Sequence, residues 1–184
     1  MSHRRGTLYI ATCATPAAAE IGKLIDLAQR AGWGTCLLVT PNALNFIDRP
    51  ALEEQTGYAV RCDYRRPEES SPFPKADGII VAGASFNTIN KWANGIADTL
   101  VLSTVIEAAG MGTPVVVLPF CNESLATHPA WRRSVATLRE TGVVVLVSAG
   151  VYEPHPAGAG GEILKTYPWR LALDAVEDAL PQAR

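Results

Sequence analysis

The sequence is poor in charge: 18% of its 184 residues are charged, and 18 acidic against 16 basic side chains leave a formal charge of −2. A chain so balanced offers no electrostatic footprint for nucleic acid or for an anionic membrane surface, and neither is expected as a partner. No apolar run approaches the roughly 20 residues of a membrane span. The basic start, residues 1–5, passes directly into a strand-like run instead of a signal-length apolar stretch. The four cysteines, Cys13, Cys36, Cys62 and Cys121, include no CxxC pair. The expectation is therefore reduced thiols in a cytoplasmic protein, with neither a disulfide framework nor a metal site. No GxGxxG follows the first strand-like segment, which argues against a Rossmann-like domain using NAD. There are no internal repeats.

What is present points to one domain spanning residues 1–184. Hydrophobic residues make up 48% of the chain, enough for a core without a staple, and so apolar a composition suggests a surface partly covered by self-association. Residues 7–12 (TLYIAT) are short and apolar and run into a turn before Pro16, whose fixed φ and missing N–H suit the first turn of a helix. From Ala17, the apolar positions Ile21, Leu24, Ile25 and Ala28 recur at helical spacing as far as Gly32, a natural stop. Residues 35–40, 78–82, 113–119 and 143–147 are apolar runs without alternation, the pattern of strands covered on both faces. A weaker strand candidate lies at 58–62. Residues 63–75, with charges, serines and three prolines, read as an exposed loop; residues 151–161 (VYEPHPAGAGG) read as a mobile flap with little to pack. A last helix is expected over 169–180. The expected fold is α/β: a three-layer Rossmann-like or flavodoxin-like open parallel sheet of five or six strands, helices on both faces and a ligand crevice at the carboxyl ends of the strands.

Four segments at those ends carry chemistry. In residues 82–102 (AGASFNTINKWANGIADTLVL) a turn of small residues lets backbone N–H groups approach a ligand, and Ser85, Asn87 and Thr88 supply short uncharged donors and acceptors suited to a polar heterocycle. Equally, Ser85 and Asn87 are the caps of a helix starting near Thr88. Thr12-Cys13-Ala14-Thr15 places successive N–H groups and two hydroxyls at a helix N-terminus, which is either an anion site without a lysine or an ordinary strand-to-helix turn. Thr40 is a further strand-end hydroxyl or an N-cap. Asn122 can donate its amide to a carboxylate without burying charge, or simply make a turn. Cys121 beside it has no evident base nearby in sequence and reads as packing.

Residues 84–98, ASFNTINKWANGIAD, are very similar to the PASANT signature and following helix of the homo-oligomeric flavin-containing cysteine decarboxylases, which include phosphopantothenoylcysteine and lantibiotic peptidyl-cysteine decarboxylases. The resemblance implies FMN as cofactor, its ring contacted by Ala82, Ser85, Asn87 and Thr88, and its phosphate end held by Thr12, Ala14, Thr15 and Thr40. It also implies contact of the signature turn with a substrate carboxylate, and a subunit contact near Asn94 to Asp98. Gly83 stands where the signature has proline. Residues 119–131 (PFCNESLATHPAW) occupy the place of the family's PxMNxxMW segment: Pro119 and Asn122 match, Cys121 replaces methionine, and Leu125-Ala126 replace methionine and tryptophan.

Two residues that the resemblance leads one to expect are absent. The family's histidine before the PASANT strand is replaced by Glu68-Glu69-Ser70-Ser71-Pro72, and the flap has no cysteine, its prominent polar residue being His155. An exposed carboxylate such as that of Glu69 is a poor base for a thiol. His3 belongs to the terminal tail, and His128, in the altered PxMNxxMW segment, is the histidine candidate for catalysis beside Asn87 and Asn122. The resemblance thus implies flavin-dependent oxidation or oxidative decarboxylation of a small-molecule or peptidyl substrate by a homo-oligomer, a trimer or a multiple of trimers. The rival reading is a flavin-binding regulatory or accessory protein without decarboxylase activity, as halotolerance-related members bind protein partners as well as flavin.

Overall fold

A computed structural model describes residues 5–66 and 68–181; His3 lies outside them. The chain runs β1 (Gly6–Thr12), a 3-10 turn (Pro16–Glu20), α1 (Gly22–Arg30), β2 (Trp33–Val39), a second 3-10 turn (Pro41–Phe46), α2 (Arg49–Thr56), β3 (Gly78–Ala84), α3 (Phe86–Ala93) and α4 (Leu100–Gly110). It continues through β4 (Val115–Pro119), α5 (Glu123–Ala126), α6 (Pro129–Glu140), β5 (Val144–Val145), α7 (Gly160–Leu164) and α8 (Trp169–Ala179). The five strands are all parallel, in the order β2-β1-β3-β4-β5. The fold is the expected open α/β sheet, and the order reverses direction between β1 and β3, which puts a crevice at their carboxyl ends.

Two apolar layers explain why the strands read as continuous hydrophobic runs. Leu8, Ile10, Leu37, Val39, Ile80, Val116 and Leu118 pack with residues of α1 and α8, while Ala11, Cys36, Leu38, Ile79, Val81, Val115 and Val117 pack with residues of α3, α4 and α6. Adjacent residues of a strand point to opposite faces, so a strand buried on both sides is apolar at most positions, with small threonines such as Thr12 and Thr35 admitted among them. Each fully buried Leu or Ile contributes roughly 1.5–3 kcal/mol. Among the described residues, no helix is long and apolar enough to cross a membrane.

Several elements are shorter than the sequence suggests. The strand expected at 58–62 is a single bridge from Arg61 to Leu38. Its backbone is taken elsewhere: the Val60 N–H donates to Glu53 of α2 at 2.9 Å, and the Val60 carbonyl accepts from Arg49 at 3.3 Å. At the other edge, Arg139 donates to the carbonyls of Val145 and Val147, at 3.2 and 2.7 Å, and β5 covers two residues instead of five. The helix expected from Ala17 begins as the 3-10 turn and becomes α-helical at Gly22. In the 63–75 loop, Phe73 is buried against the Tyr9 and Tyr58 rings. The 151–161 segment is not without packing either, since Tyr152 and His155 are both buried.

Candidate functional site

Two clefts open at the carboxyl ends of the strands and meet at Ala14, Ser85 and Asn87. The larger, about 570 Å³, has Thr15, Phe86, Phe120, Cys121, Asn122, Leu125, His155 and the glycine backbone at 158, 160 and 161 in its wall. The smaller, about 210 Å³, is lined by Thr40, Asn42, Thr88, Lys91, Asp98 and Thr99 among others.

The signature turn makes the ridge between them. Gly83 sits at a register shift between β3 and β4 with φ +74°, a left-handed conformation open to glycine and closed to proline. Its N–H donates to the Tyr167 hydroxyl at 3.1 Å, and that hydroxyl lies 2.8 Å from the Pro119 carbonyl, so one buried phenol ties the ends of β3 and β4 together. A Cβ at Gly83 would lie 2.9 Å from both the Ala17 Cβ and the Thr15 Oγ1, so the β1 turn rests directly on the signature turn. Ser85 then caps α3: its Oγ accepts from the Thr88 N–H at 3.2 Å and lies 3.0 Å from the Thr88 Oγ1. Capping and cleft-lining are both true of Ser85. Asn87 has no capping role; its amide is exposed on the ridge and makes no hydrogen bond among the described residues.

The remaining candidates divide. Ala14 lines both clefts, Thr15 and Asn122 the larger, and Thr40 and Thr88 the smaller. Thr40 starts the second 3-10 turn without a side-chain cap, leaving its hydroxyl to the cleft. Thr15 spends its hydroxyl on the Gly83 carbonyl at 3.0 Å, and the turn behind it opens with Pro16, which has no N–H, so it provides fewer donors than expected. Three candidates lie outside both clefts. Thr12 and Ala82 are fully buried and line neither cleft, because they share strand parity with Ile10 and Ile80 and point into the α1/α8 side. The Thr12 Oγ1 is left without a partner there. His128 is exposed, its Nδ1 accepting from the Ala130 N–H at 3.1 Å as the N-cap of α6, and it lines neither cleft. Glu69 stays in the exposed loop, accepting from the Arg66 N–H, away from both clefts.

Residues that the sequence did not single out as candidates complete the walls. Lys91, one turn beyond Thr88 on α3, is ion-paired with Asp98, and its place within the signature helix is the signal that could have found it. Cys121 is buried, and burial pushes its thiol up to about 11. Tyr152 sits beneath it: its hydroxyl accepts from the Cys121 N–H at 2.9 Å and donates to the Cys121 carbonyl at 3.1 Å, and burial pushes the phenol up to about 12. The bridge of His155 to Asn122 carries the histidine into the larger cleft: the Glu123 N–H donates to the His155 carbonyl at 2.8 Å and the His155 N–H to the Cys121 carbonyl at 3.2 Å. Burial holds this imidazole below its usual pKa, partly opposed by Glu123. Its status as the flap's single histidine was visible in sequence; its partner strand end was not. Apart from the Lys91–Asp98 pair and Glu123 at the margin, the site is built of neutral donors, acceptors and apolar walls. Among the described residues no cluster of His, Cys, Asp and Glu could hold a metal ion.

Comparison with known proteins gives a consistent result. The flavoprotein family model matches residues 2–163. A coenzyme A biosynthesis bifunctional protein of Thermococcus kodakarensis is 32% identical over 107 residues, 58% of this chain and 25% of that protein, so the match spans a quarter of the relative's length. A phosphopantothenoylcysteine decarboxylase of Arabidopsis thaliana is 26% identical over 157 residues, covering 78% of this chain and 71% of that one. Among solved structures, the FMN-dependent cysteine decarboxylase SpaF aligns with TM-score 0.71 at 21% identity over 96% of this chain and 98% of its own. The FMN-binding protein AtHal3 aligns with TM-score 0.68 at 21% identity, covering 98% and 100%. At those identities, the structural matches speak for the fold.

Proposed function

Since the chain belongs to the flavoprotein family, we propose that its paired clefts hold FMN and that it catalyses flavin-dependent oxidation or oxidative decarboxylation of a small or peptidyl substrate bearing a thiol and a carboxylate. The observation that carries this reading is the convergence of Ala14, Ser85 and Asn87 on one ridge between a small polar cleft and a larger, half-apolar one.

The residues fit the cofactor. In the smaller cleft the hydroxyls of Thr40 and Thr88, the Asn42 amide and the Lys91 ammonium match a phosphate monoester, which would share Lys91 with Asp98. In the larger cleft Phe86, Phe120 and the glycine backbone suit a flat ring, and its size falls within the roughly 300–1,000 Å³ usual for ligand sites. Bound FMN supplies a two-electron acceptor, while the protein positions the substrate and excludes water. Asn122 holds the substrate carboxylate: its Oδ1 is pinned by the Leu125 N–H at 2.9 Å, which turns the amide nitrogen outward. Asn87 reaches either cleft from the ridge. Cys121, with its thiol near 11, stays protonated at neutral pH and serves as wall, not nucleophile.

The catalytic assembly is a homo-oligomer, a trimer or a multiple of trimers, with FMN near a subunit contact. Support comes from an apolar groove between α3, α4 and α6, with Trp92, Ile106 and Leu138 in its wall, and from the neighbouring Ile96, which is 44% exposed.

The test is the visible spectrum of purified protein, mass identification of what denaturation releases, and anaerobic titration with thiol substrates. A yellow protein that releases FMN and bleaches is expected. A preparation that stays colourless and fails to quench added FMN rejects the cofactor. A yellow protein that no thiol or carboxylate substrate bleaches is the accessory protein instead.

A further inference from the structure

Resting on the reading that the larger cleft takes a thiol-bearing substrate, we infer that His155 is the group that removes the thiol proton, a role taken up by the 151–161 segment in a chain with no histidine in residues 68–72. The geometry supplies three arguments.

The first is placement. His155 is 6% exposed, yet it lines the same cleft as Asn122 and is fixed to that strand end by backbone hydrogen bonds on both sides. Its ring lies 4.7 Å from the Phe120 ring, and a Cβ at Gly160 would come 3.6 Å from Nε2, so bare backbone passes over that edge of the imidazole. The second is the alternative bases. His128 lies outside the cleft, and Glu69 belongs to the exposed loop. The third is tautomer. The Tyr152 Oη lies 3.3 Å from the His155 Nδ1 but 3.1 Å from the Cys121 carbonyl, to which its single proton goes. The Nδ1 therefore carries a hydrogen and donates to Oη, which leaves the Nε2 lone pair free on the cleft side.

Burial keeps the imidazole neutral, and the nearby Glu123 carboxylate opposes it only in part. Tyr152 and Cys121 are protonated at neutral pH, and Glu123 is the nearby carboxylate. In the step itself the substrate S–H bond breaks, its electron pair stays on sulfur, and the proton moves to Nε2. The resulting imidazolium is held by Tyr152 and by the field of Glu123.

The experiment uses FMN-loaded protein mixed with N-acetylcysteine and, separately, with a short peptide ending in cysteine. The ultraviolet thiolate band is read alongside flavin bleaching. Wild type is expected to show the thiolate band at neutral pH and His155→Gln to lose it. The variant's bleaching rate should fall by about 10²–10⁴-fold and recover as pH rises through about 8.5, where solvent ionises the thiol. The acid limb of the wild-type rate profile should vanish in the variant. Nitrogen-edited NMR of the wild-type imidazole, which depends on no variant folding, should report a neutral ring protonated on Nδ1. An unprotonated Nδ1 at neutral pH, no band with either thiol, or an equal band in His155→Gln overturns the assignment. A wild type that forms the thiolate band but never bleaches leaves His155 as proton acceptor and sinks the redox reading instead.

Discussion

At Gly83 the departure from the family signature and the local geometry have the same explanation. Proline there would need φ near −65° and would remove the N–H that reaches Tyr167. Gly83→Ala, forced into φ +74° against Ala17 and Thr15, should cost on the order of 1–3 kcal/mol, read as a lower urea midpoint, and Gly83→Pro should cost more. Tyr167→Phe leaves the buried Gly83 N–H without an acceptor, a loss of about 1–3 kcal/mol with weaker FMN retention. His155 adds a pH dependence. Its folded pKa lies below the unfolded value, so its contribution is complete above about pH 6.5. As pH falls, the unfolded chain takes the proton first, and stability drops until the folded ring protonates. Thermal midpoints measured between about pH 7 and 5 should therefore fall more steeply in wild type than in His155→Gln.

Elements decide which of two roles a residue can combine. Asn122 both caps the four-residue α5 and faces the larger cleft, and two substitutions separate these roles. Asn122→Ala should lose about 1 kcal/mol of stability through the cap as well as substrate affinity. Asn122→Asp keeps the cap but opposes a substrate carboxylate, so KM should rise at least about tenfold with the urea midpoint nearly unchanged. Element boundaries were less legible than element existence. Nothing in the apolar pattern of 58–62 reveals that Val60 will hand its backbone groups to Arg49 and Glu53 on the preceding helix. Likewise, the run at 143–147 does not announce that Arg139 will take two of its carbonyls.

For the whole molecule, light scattering of FMN-loaded protein is expected to give a mass that is a multiple of three chains. Ile96→Asp, which places a charge beside the apolar groove, should lower that mass and loosen FMN together. The signature turn was legible because its donors lie within four residues of one another, from Ser85 to Thr88, and the strand–helix junction alone brings them to one ridge. His128 and His155 show the opposite case. Each sits in a segment associated with the site, but His128 is consumed as the cap of α6, whereas His155 is drawn in by pairing with Asn122.

The amino-acid order alone determined the alternation of apolar runs and amphipathic helices, hence the parallel sheet, its crevice and the turn of short polar residues that fills it. Those features depend on local periodicity and on stereochemistry within a few residues. Tertiary structure decided which strand-end residues reach the cleft, because the sheet buries Thr12 beneath the β1 turn while Thr15, past the strand's end, lines the crevice with its hydroxyl held by the Gly83 carbonyl. It also decided which histidine enters. Tyr152 and Cys121 are 31 residues apart, and hydrogen bonds over that separation follow from how the layers close, which no periodicity in the chain encodes.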